Sequence, residues 1–310
     1  MSGASVSVGL VGCGRWGRHI LRDLITLGAR VEVVAPADET RQFALAHGAA
    51  AVHAAPPASW ATEMDGFVVA TPTTVHAASI DQLLPFGKPI YTEKPLCDDV
   101  SHARRLAAAA PDRLFVMDKW RYHPGICKLA ALAQSGELGT IDSLRLHRLG
   151  WSTSHDDVDA AWVLVPHDLS ICLHIIGTIP PLRMAARTGT LRHDGGLVAV
   201  LGGGDDPTVT LEYSIVFPRT QRSFAVVGSK ASALLADSYD QTITVRRGAP
   251  GQRDVEPIEM VADGELPLLG ELRAFVGHLQ GGPPPLSSAA DGVRIVERTA
   301  EIRRMAGLHP

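Results

Sequence analysis

The sequence has few cysteines and no grouping of side chains that marks a metal site. Only 4 of its 310 residues are cysteines, and they are too scattered to form a CxxC pair or a metal-ligand spacing: Cys13, Cys97, Cys127 and Cys172. Thirteen histidines are present, yet no two stand in a convincing ligand arrangement. We therefore expect no metal and a reducing, cytoplasmic environment.

Positive charge and long apolar runs are also scarce. The net charge of −4 provides no broad basic field, which argues against nucleic acid as a partner. The N-terminus lacks a basic segment followed by a signal-type apolar run, and VSVGLVGCG (6–14) is too short to span a bilayer. With 45% hydrophobic and 20% charged residues, the chain has the composition of a globular protein, and its length fits two domains. We expect a small-molecule substrate, no nucleic acid and no membrane partner.

A glycine-rich loop follows a short β-branched run near the N-terminus. Residues 5–11 are typical of a buried strand, GCGRWG (12–17) comes next, and RHILRDLITLG (18–28) has the apolar periodicity of a helix. A second strand is predicted at 29–36, which completes the context of a dinucleotide-binding loop. The same pattern also fits a glycine-rich turn that binds nothing.

Each glycine of this loop has a predicted task. Gly12 permits the tight turn, Gly14 lets the backbone approach a pyrophosphate, and Gly17 allows close packing of helix on strand. The amide groups at the start of the helix then face the anion. Arg15 and Trp16 lie between these glycines, and we expect them to contact the cofactor too.

The end of the second strand bears on the choice between NAD and NADP. An acid there hydrogen-bonds the ribose of NAD and repels the 2′-phosphate of NADP. Here the strand ends at Ala35 and Pro36, and the first acid, Asp38, comes slightly late. Arg41 lies nearby and could meet a 2′-phosphate. We therefore favour NADP(H) over NAD(H), with Asp38 and Arg41 as cofactor contacts.

Strands and helices continue to alternate up to residue 124. The pattern predicts a strand, turn and helix at 66–80, a strand and loop at 88–96, a helix at 98–110, and a strand at 113–124. Asp99 or Ser101 is placed to cap the helix at 98–110. This alternation predicts a parallel α/β domain that binds a nucleotide.

Four segments in order carry a specific resemblance: GCGRWG at 12–17, ATPTTVHA at 70–77, YTEKPL at 91–96 and WRYHPGI at 120–126. The series resembles the glucose–fructose oxidoreductase, inositol dehydrogenase and MocA family (Gfo/Idh/MocA), and the likeness continues through SGELGTI (135–141) to the C-terminus. The resemblance implies an α/β fold with a Rossmann dinucleotide-binding domain at 1–122. A C-terminal α/β domain at 123–310, with a largely antiparallel open sheet, would bind substrate and form a homodimer or homotetramer.

The second half of the chain contains the strand-like runs that such a sheet needs. Turn residues separate them, and they lie at 143–149, 183–191, 196–203, 208–215, 222–229, 232–238 and 242–248. A helical tail closes the chain. This pattern agrees with the second domain that the resemblance implies.

The EKP motif contains the residue whose role follows most directly from the family resemblance, Lys94. By resemblance, Lys94 lies near the nicotinamide and the reacting hydroxyl, Glu93 belongs to the cofactor site, and Pro95 often follows a cis peptide bond. A lysine beside an alcohol that loses hydride stabilises oxyanion character and can pass on a proton. An isolated EKP would equally fit a surface turn.

Two further segments match positions that the family places near cofactor or substrate. Thr71, Pro72 and His76 correspond to a cofactor-lining segment, although TPTT also fits a plain turn with a threonine cap. Arg121 and Tyr122 match a segment that brings side chains to the substrate. A structural role fits these two residues as well.

Pro166, His167 and Asp168 precede an apolar helical pattern, so we expect a helix to begin here. In the family, a histidine at this place works beside the EKP lysine as acid–base partner, and His167 stands ten residues before Gly177 as the family pattern expects. An imidazole titrates near neutrality, with an unperturbed pKa of about 6.5. Asp168 would then act as a helix cap, an orienting group or a substrate contact.

Two acids that are frequent in the family are absent. Val163 stands where many active relatives carry an aspartate, and Ser170 stands at another position that is often acidic. Lys94 and His167 could suffice, the chain could have lost redox catalysis, or a nearby acid could substitute, with the candidates Asp157, Asp159 and Asp168.

These features together predict an NAD(P)-dependent dehydrogenase that moves a hydride between nicotinamide and a sugar, nucleotide-sugar or cyclitol hydroxyl or ketone. Two alternatives stay open. The first is a catalytically inactive homologue that binds dinucleotide or sugar and regulates a partner. The second is an imine or enone reductase, which needs a single proton donor.

Overall fold

The computed structural model describes residues 5–152, 157–189, 194–248, 252 and 256–308. These residues form two compact units, and the chain enters the first one twice. The first unit comprises the residues up to Lys119 together with Leu266–Val296, and the second comprises Trp120–Glu265 and the residues from Glu297 onward. Within the described ranges, no helix is both long and apolar enough to cross a membrane.

The first unit contains a sheet of six parallel strands. They are β1 (Ser7–Val11), β2 (Arg30–Val34), β3 (Ala51–His53), β4 (Gly66–Val69), β5 (Ile90–Glu93) and β6 (Leu114–Met117), in the spatial order β3-β2-β1-β4-β5-β6. The helices between them are α1 (Gly17–Thr26), α2 (Asp38–Ala46), α3 (Trp60–Glu63), α4 (His76–Leu83) and α5 (Val100–Ala109). This strand order is that of the Rossmann fold, in which ligands bind at the carboxyl ends of the strands where the order reverses, here between β1 and β4.

The second unit contains a sheet of eight strands. They are β7 (Ile141–Trp151), β8 (Leu182–Arg187), β9 (Gly196–Gly203), β10 (Asp206–Ser214), β11 (Val216–Gly228), β12 (Ala231–Leu235), β13 (Thr242–Arg247) and β14 (Ile258–Val261). Their order is β14-β13-β12-β11-β7-β10-β9-β8, and every neighbouring pair is antiparallel except β7 with β10. Helices α6 (Pro124–Gln134) and α7 (Ala160–Ile176) pack on this sheet. The predicted fold class, a Rossmann domain plus a largely antiparallel second domain, is confirmed.

Helix α8 (Pro267–Leu279) belongs to the first unit, and helix α9 (Ala289–Met305) crosses the division between the units. The sequence predicted a division between residues 122 and 123, with 123–310 in one domain, whereas the structure assigns Leu266–Val296 to the Rossmann unit. The cause is hydrophobic burial. Leu272 and Phe275, on the buried stripe of α8, join the core cluster of this unit beside Tyr91.

Helix α7 begins earlier than the sequence pattern indicated. Its first residue is Ala160, and the carboxylate of Asp159 caps it by accepting the backbone N–H groups of Ala161 at 3.1 Å and Trp162 at 3.2 Å. Pro166 therefore lies inside the helix, where its missing N–H costs one intrahelical hydrogen bond. The prediction of a helix start at Pro166 is wrong because a good N-cap outweighs an internal proline.

The strand predicted at 113–124 is shorter than expected. It ends at Met117, a 3₁₀ turn covers Lys119–Tyr122, and α6 begins at Pro124. Proline suits the first helical position because the N–H that it lacks would have no partner there. The last two residues of the strand predicted at 183–191 lie outside the described residues.

Candidate active site

The glycine loop follows β1 and has the shape that its sequence predicted. Gly12 has a φ of +92°, and a Cβ there would lie 2.6 Å from the carbonyl oxygen of Ala70. A Cβ on Gly17 would lie 2.5 Å from the carbonyl oxygen of Gly12, so helix α1 can begin only with glycine. A Cβ on Gly14 would meet nothing within 4 Å, which leaves open space on the outer side of the loop.

No side chain caps the first turn of α1. The N–H groups of Arg18 and His19 donate to the carbonyl oxygens of Gly14 and Trp16, so the loop itself forms the end of the helix, where the helix dipole favours an anion. Arg15 and Trp16 are exposed beside them. These features fit the pyrophosphate of a dinucleotide.

At the end of β2, Arg41 and Asp38 form an ion pair. The guanidinium of Arg41 also donates to the carbonyl oxygens of Ala35 and Pro36, each at 2.6 Å. The side chain of Asp38 is 84% exposed, whereas that of Arg41 is 19% exposed. The arginine is thus anchored on the backbone at the end of β2, and the acid is its exposed partner.

A hydrogen bond joins the glycine loop to the EKP turn. The indole N–H of Trp16 donates to the carboxylate of Glu93, which also accepts the backbone N–H of Lys94 at 3.2 Å. The ammonium of Lys119 lies 4.2 Å from the centre of the Trp16 ring, in cation–π geometry. The peptide bond between Lys94 and Pro95 is cis, as the resemblance implied.

Glu93 is the electrostatic centre of this arrangement. Burial raises the pKa of its carboxyl above the ordinary value, and the charges of Lys94 and Lys119 and the N–H of Trp16 oppose that rise. Glu93 therefore holds the loop and the turn together through its charge as well as its hydrogen bonds. Apart from its place in the EKP motif, nothing in the sequence near Glu93 predicted this structural role.

His76 connects the turn after β4 to the EKP turn. It is buried, its Nδ1 lies 2.8 Å from the carbonyl oxygen of Pro95, and its Nε2 lies 2.9 Å from that of Thr71. Both ring nitrogens thus face backbone oxygens, which fixes the ring between the two turns. Pro72 is exposed, and a 3₁₀ turn at Thr73–Val75 leads into α4.

In the second unit, His167 lies in the third turn of α7, one turn after Val163. Its side chain is buried, and its ring packs edge-on against Trp120 with 6.2 Å between ring centres. The helix, and not a helix start, therefore fixes the imidazole. Val163 on the same face is partly buried and carries no polar atom in its side chain.

Asp168 forms a buried ion pair with Arg148 of β7. Arg148 Nε donates to the carboxylate at 2.6 Å, and the guanidinium stacks on Trp120 at 4.2 Å and on Phe224 at 5.2 Å. Burial raises the pKa of Asp168 and lowers that of Arg148, while the pairing opposes both shifts. Asp168 is not a helix cap, since it lies in the third turn, and its charge is matched inside the core. The alternation of β7 gave a signal for Arg148, which follows the buried Leu144 and Leu146 on the same side.

Arg121 is buried and donates from Nε to the hydroxyl of Ser170 at 3.1 Å. At Ser170 the resemblance led us to expect an acid, and here the serine holds an arginine in place. Tyr122, the second substrate contact predicted from the sequence, is partly buried beside it. The pairing of two residues 49 positions apart had no signal in the sequence.

Of the acids that could replace the missing aspartate, two are already engaged. Asp159 caps α7 and accepts two N–H groups from Arg303 at 2.8 and 2.6 Å, and Asp168 pairs with Arg148. Neither is poised to orient an imidazole. Across the described ranges, no group of three or more histidine, cysteine or acidic side chains could hold a metal ion.

Comparison with known proteins agrees with this geometry. The model of an oxidoreductase family with an NAD-binding Rossmann fold, Gfo/Idh/MocA, matches residues 6–116. The N-terminal part of this chain therefore carries the NAD-binding domain of that family. Its matched region coincides with the six-stranded sheet and the loops at the carboxyl ends of its strands.

The relatives include named dehydrogenases. Myo-inositol dehydrogenase Hyg17 of Streptomyces leeuwenhoekii is 31% identical over 49% of this chain, a segment that spans only 46% of that relative. Inositol 2-dehydrogenase of Rhizobium meliloti is 24% identical over 93% of each chain. The solved structure of UDP-N-acetylglucosamine 3-dehydrogenase GnnA from Acidithiobacillus ferrooxidans shares the fold, with a TM-score of 0.83 at 20% identity over 98% of each chain.

Proposed function

We propose that this chain is an NAD(P)-dependent oxidoreductase that transfers a hydride between nicotinamide and a hydroxyl or ketone carbon of a sugar, nucleotide-sugar or cyclitol. The observation that carries the proposal is the hydrogen bond from Trp16 to Glu93. It links the loop suited to the pyrophosphate with the turn that presents Lys94, at the edge of the sheet where Rossmann ligands bind. The names of the inositol and sugar dehydrogenases among the relatives support this substrate class.

Lys94 is the residue that acts on the reacting oxygen in this proposal. Its ammonium group stabilises negative charge as an alcohol loses hydride, or as a ketone gains it, and it can donate or accept the proton of that oxygen. The fixed EKP turn, held by Glu93 and His76, orients Lys94. The cofactor, when bound, supplies or receives the hydride.

His167 is the proposed acid–base partner, as the family resemblance implies. The middle of α7 and the ring of Trp120 restrict its orientation, which suits a proton-transfer group that must keep one geometry. Arg121 and Tyr122 are the proposed substrate contacts. Asp168 is left out of the reaction because its charge is paired with Arg148.

The proposed cofactor is NADP(H) in preference to NAD(H). No carboxylate ends β2, and Arg41 is anchored there by two carbonyl oxygens. A 2′-phosphate can replace the exposed Asp38 as the partner of Arg41, and an exposed ion pair of this kind is worth only about 0–1 kcal/mol.

The test compares Lys94→Ala and His167→Ala with the native chain in a screen of sugars, nucleotide-sugars and inositols. Turnover should fall by about 10²-fold or more in each variant, whereas the Kd for NADPH should change little. Lys230→Ala, at an exposed lysine of the second unit, is the matched control and should keep full turnover. Unchanged rates in both test variants would overturn the assignment.

A specific observation supports a second candidate, a homologue that binds dinucleotide or sugar without redox turnover. Val163 replaces an acid that is frequent in the family, and Asp159 and Asp168 are both held by arginines. Cofactor binding without turnover on any compound of the screen would favour this candidate. Turnover that depends on Lys94 would exclude it.

A further inference from the structure

A buried acid that the proposed reaction does not use lies behind the EKP turn. Glu271 of α8 is 1% exposed, and its carboxyl accepts one hydrogen bond, from the hydroxyl of Tyr91 at 3.5 Å. Its second oxygen, Oε1, has no hydrogen-bond partner among the described residues. A carboxylate with so little compensation is strongly disfavoured inside a protein, so the geometry alone indicates a neutral acid.

The charged groups around Glu271 come from two strands of the sheet. Tyr91 and Glu93 belong to β5, and Asp118 and Lys119 directly follow β6. Asp118 accepts the hydroxyl of Ser287 at 2.7 Å. Three carboxyl groups thus share two ammonium groups, those of Lys94 and Lys119, which is too little positive charge to keep all of them ionised.

Of the two glutamates, Glu93 is the one whose ionised form its neighbours stabilise more. It receives the N–H groups of Trp16 and Lys94, and the ammonium groups of Lys94 and Lys119 lie near it. Glu271 receives only the distant hydroxyl of Tyr91. Burial and the charge of Glu93 raise the pKa of Glu271 well above its ordinary range, in agreement with this division.

We propose that Glu271 is a positioning residue: by remaining a neutral acid it leaves Glu93 as the carboxylate that holds Trp16 and the backbone of Lys94. This proposal rests on the proposed function, which makes the EKP turn the part of the site that positions Lys94. If Glu271 loses its proton, its charge repels that of Glu93. The bond between Glu93 and Trp16 then weakens, and the glycine loop separates from the turn.

The test is a pH titration of Trp16 fluorescence in the protein without cofactor. Each spectrum is corrected with that of Trp16→Phe, which removes the signal of the other four tryptophans. The native chain should show an alkaline transition in the Trp16 signal. Glu271→Gln, which is isosteric and cannot ionise, should lack that transition or shift its midpoint by about one pH unit or more.

Three further variants separate Glu271 from its titrating neighbours. Tyr91→Phe, Lys94→Met and Lys119→Met each remove a neighbouring phenol or amine, and the transition should persist in all three if Glu271 causes it. Circular dichroism establishes that each variant is folded. If Glu271→Gln does not fold, Glu271→Met supplies the same uncharged comparison. A transition of equal midpoint and amplitude in the native chain and in the folded uncharged variant would overturn the proposal.

This experiment is independent of turnover. A chain without activity that still loses its Trp16 transition in Glu271→Gln would refute the proposed function and keep the role of Glu271. In an active chain, the alkaline limb of the kcat/KM profile should also shift in Glu271→Gln. A profile that does not move, with Trp16 also unaffected, would refute the role of Glu271 and keep the proposed function.

Discussion

Trp16 of the glycine loop and Glu93 of the EKP turn are joined by a hydrogen bond although 77 residues separate them in the sequence. Trp16→Phe keeps an aromatic ring for Lys119 and removes the N–H donor. Since a hydrogen bond to a charged group contributes about 1.5–3 kcal/mol, the Kd for NADPH should rise about tenfold or more. Isothermal titration measures it, with the exposed Trp151→Phe as control. Equal affinities in all three proteins would show that the bond does not organise the cofactor site.

Arg41 at the end of β2 should determine the preference for NADPH over NADH. Arg41→Ala removes the guanidinium that is anchored on Ala35 and Pro36. The affinity for NADPH should fall about tenfold or more because a charge-assisted contact to the 2′-phosphate is lost, whereas the affinity for NADH should change little. Titrations with both cofactors measure the ratio. A parallel loss for both would mean that Arg41 supports the loop and does not recognise the phosphate.

The buried pair of Arg148 and Asp168 should matter for folding more than for catalysis. Asp168→Ala leaves an uncompensated guanidinium in the core, so the free energy of unfolding should fall by about 3–5 kcal/mol. The double variant Arg148→Met with Asp168→Leu should recover most of this loss. Denaturant unfolding provides the values, and Asp81→Ala, which breaks the exposed pair with Arg105, should change stability by about 1 kcal/mol or less. A small effect of Asp168→Ala would indicate that water reaches the pair.

His174, in the last turn of α7, should make the protein sensitive to acid. Burial and the nearby charge of Arg121 lower its pKa to about 4. The unfolded chain binds a proton near pH 6.5 and the folded chain does not, so stability falls as the pH drops from about 6.5 toward 4. In His174→Gln, the fall in Tm between pH 7 and pH 4.5 should therefore be smaller than in the native chain. Parallel Tm profiles would assign the acid sensitivity to other groups.

Local patterns in the sequence were enough to predict most of the strands and the glycine loop. Alternating apolar residues and β-branched runs indicate directly which side chains are buried. Glycine is required at position 12 by the nearby carbonyl of Ala70, which follows β4, and at position 17 by the carbonyl of Gly12. The start of α7 was misplaced because Pro166 and Asp159 both resemble helix-start signals. In the structure, the hydrogen bonds that Asp159 accepts from Ala161 and Trp162 place the start at Ala160.

The supporting contacts of the site could not be predicted from one sequence. Tyr91 and Glu271 are 180 residues apart, and the two partners of the Arg121–Ser170 bond are 49 apart. Such pairs form only when the tertiary fold packs distant segments together, and they produce no periodic pattern in the sequence. The structure therefore adds the environment of the EKP lysine, while the motif already indicated the lysine itself.

The return of α8 to the Rossmann unit has a consequence for the order of events during synthesis. The core of that unit takes Leu272 and Phe275 from a segment that leaves the ribosome after all the strands of the second unit. During synthesis, strands β1–β6 therefore keep part of their apolar surface uncovered until α8, which ends at Leu279, has left the ribosome. A pause in translation or a truncation between residues 122 and 266 would present this half-covered sheet to chaperones and proteases, even though every residue of the glycine loop is already in place.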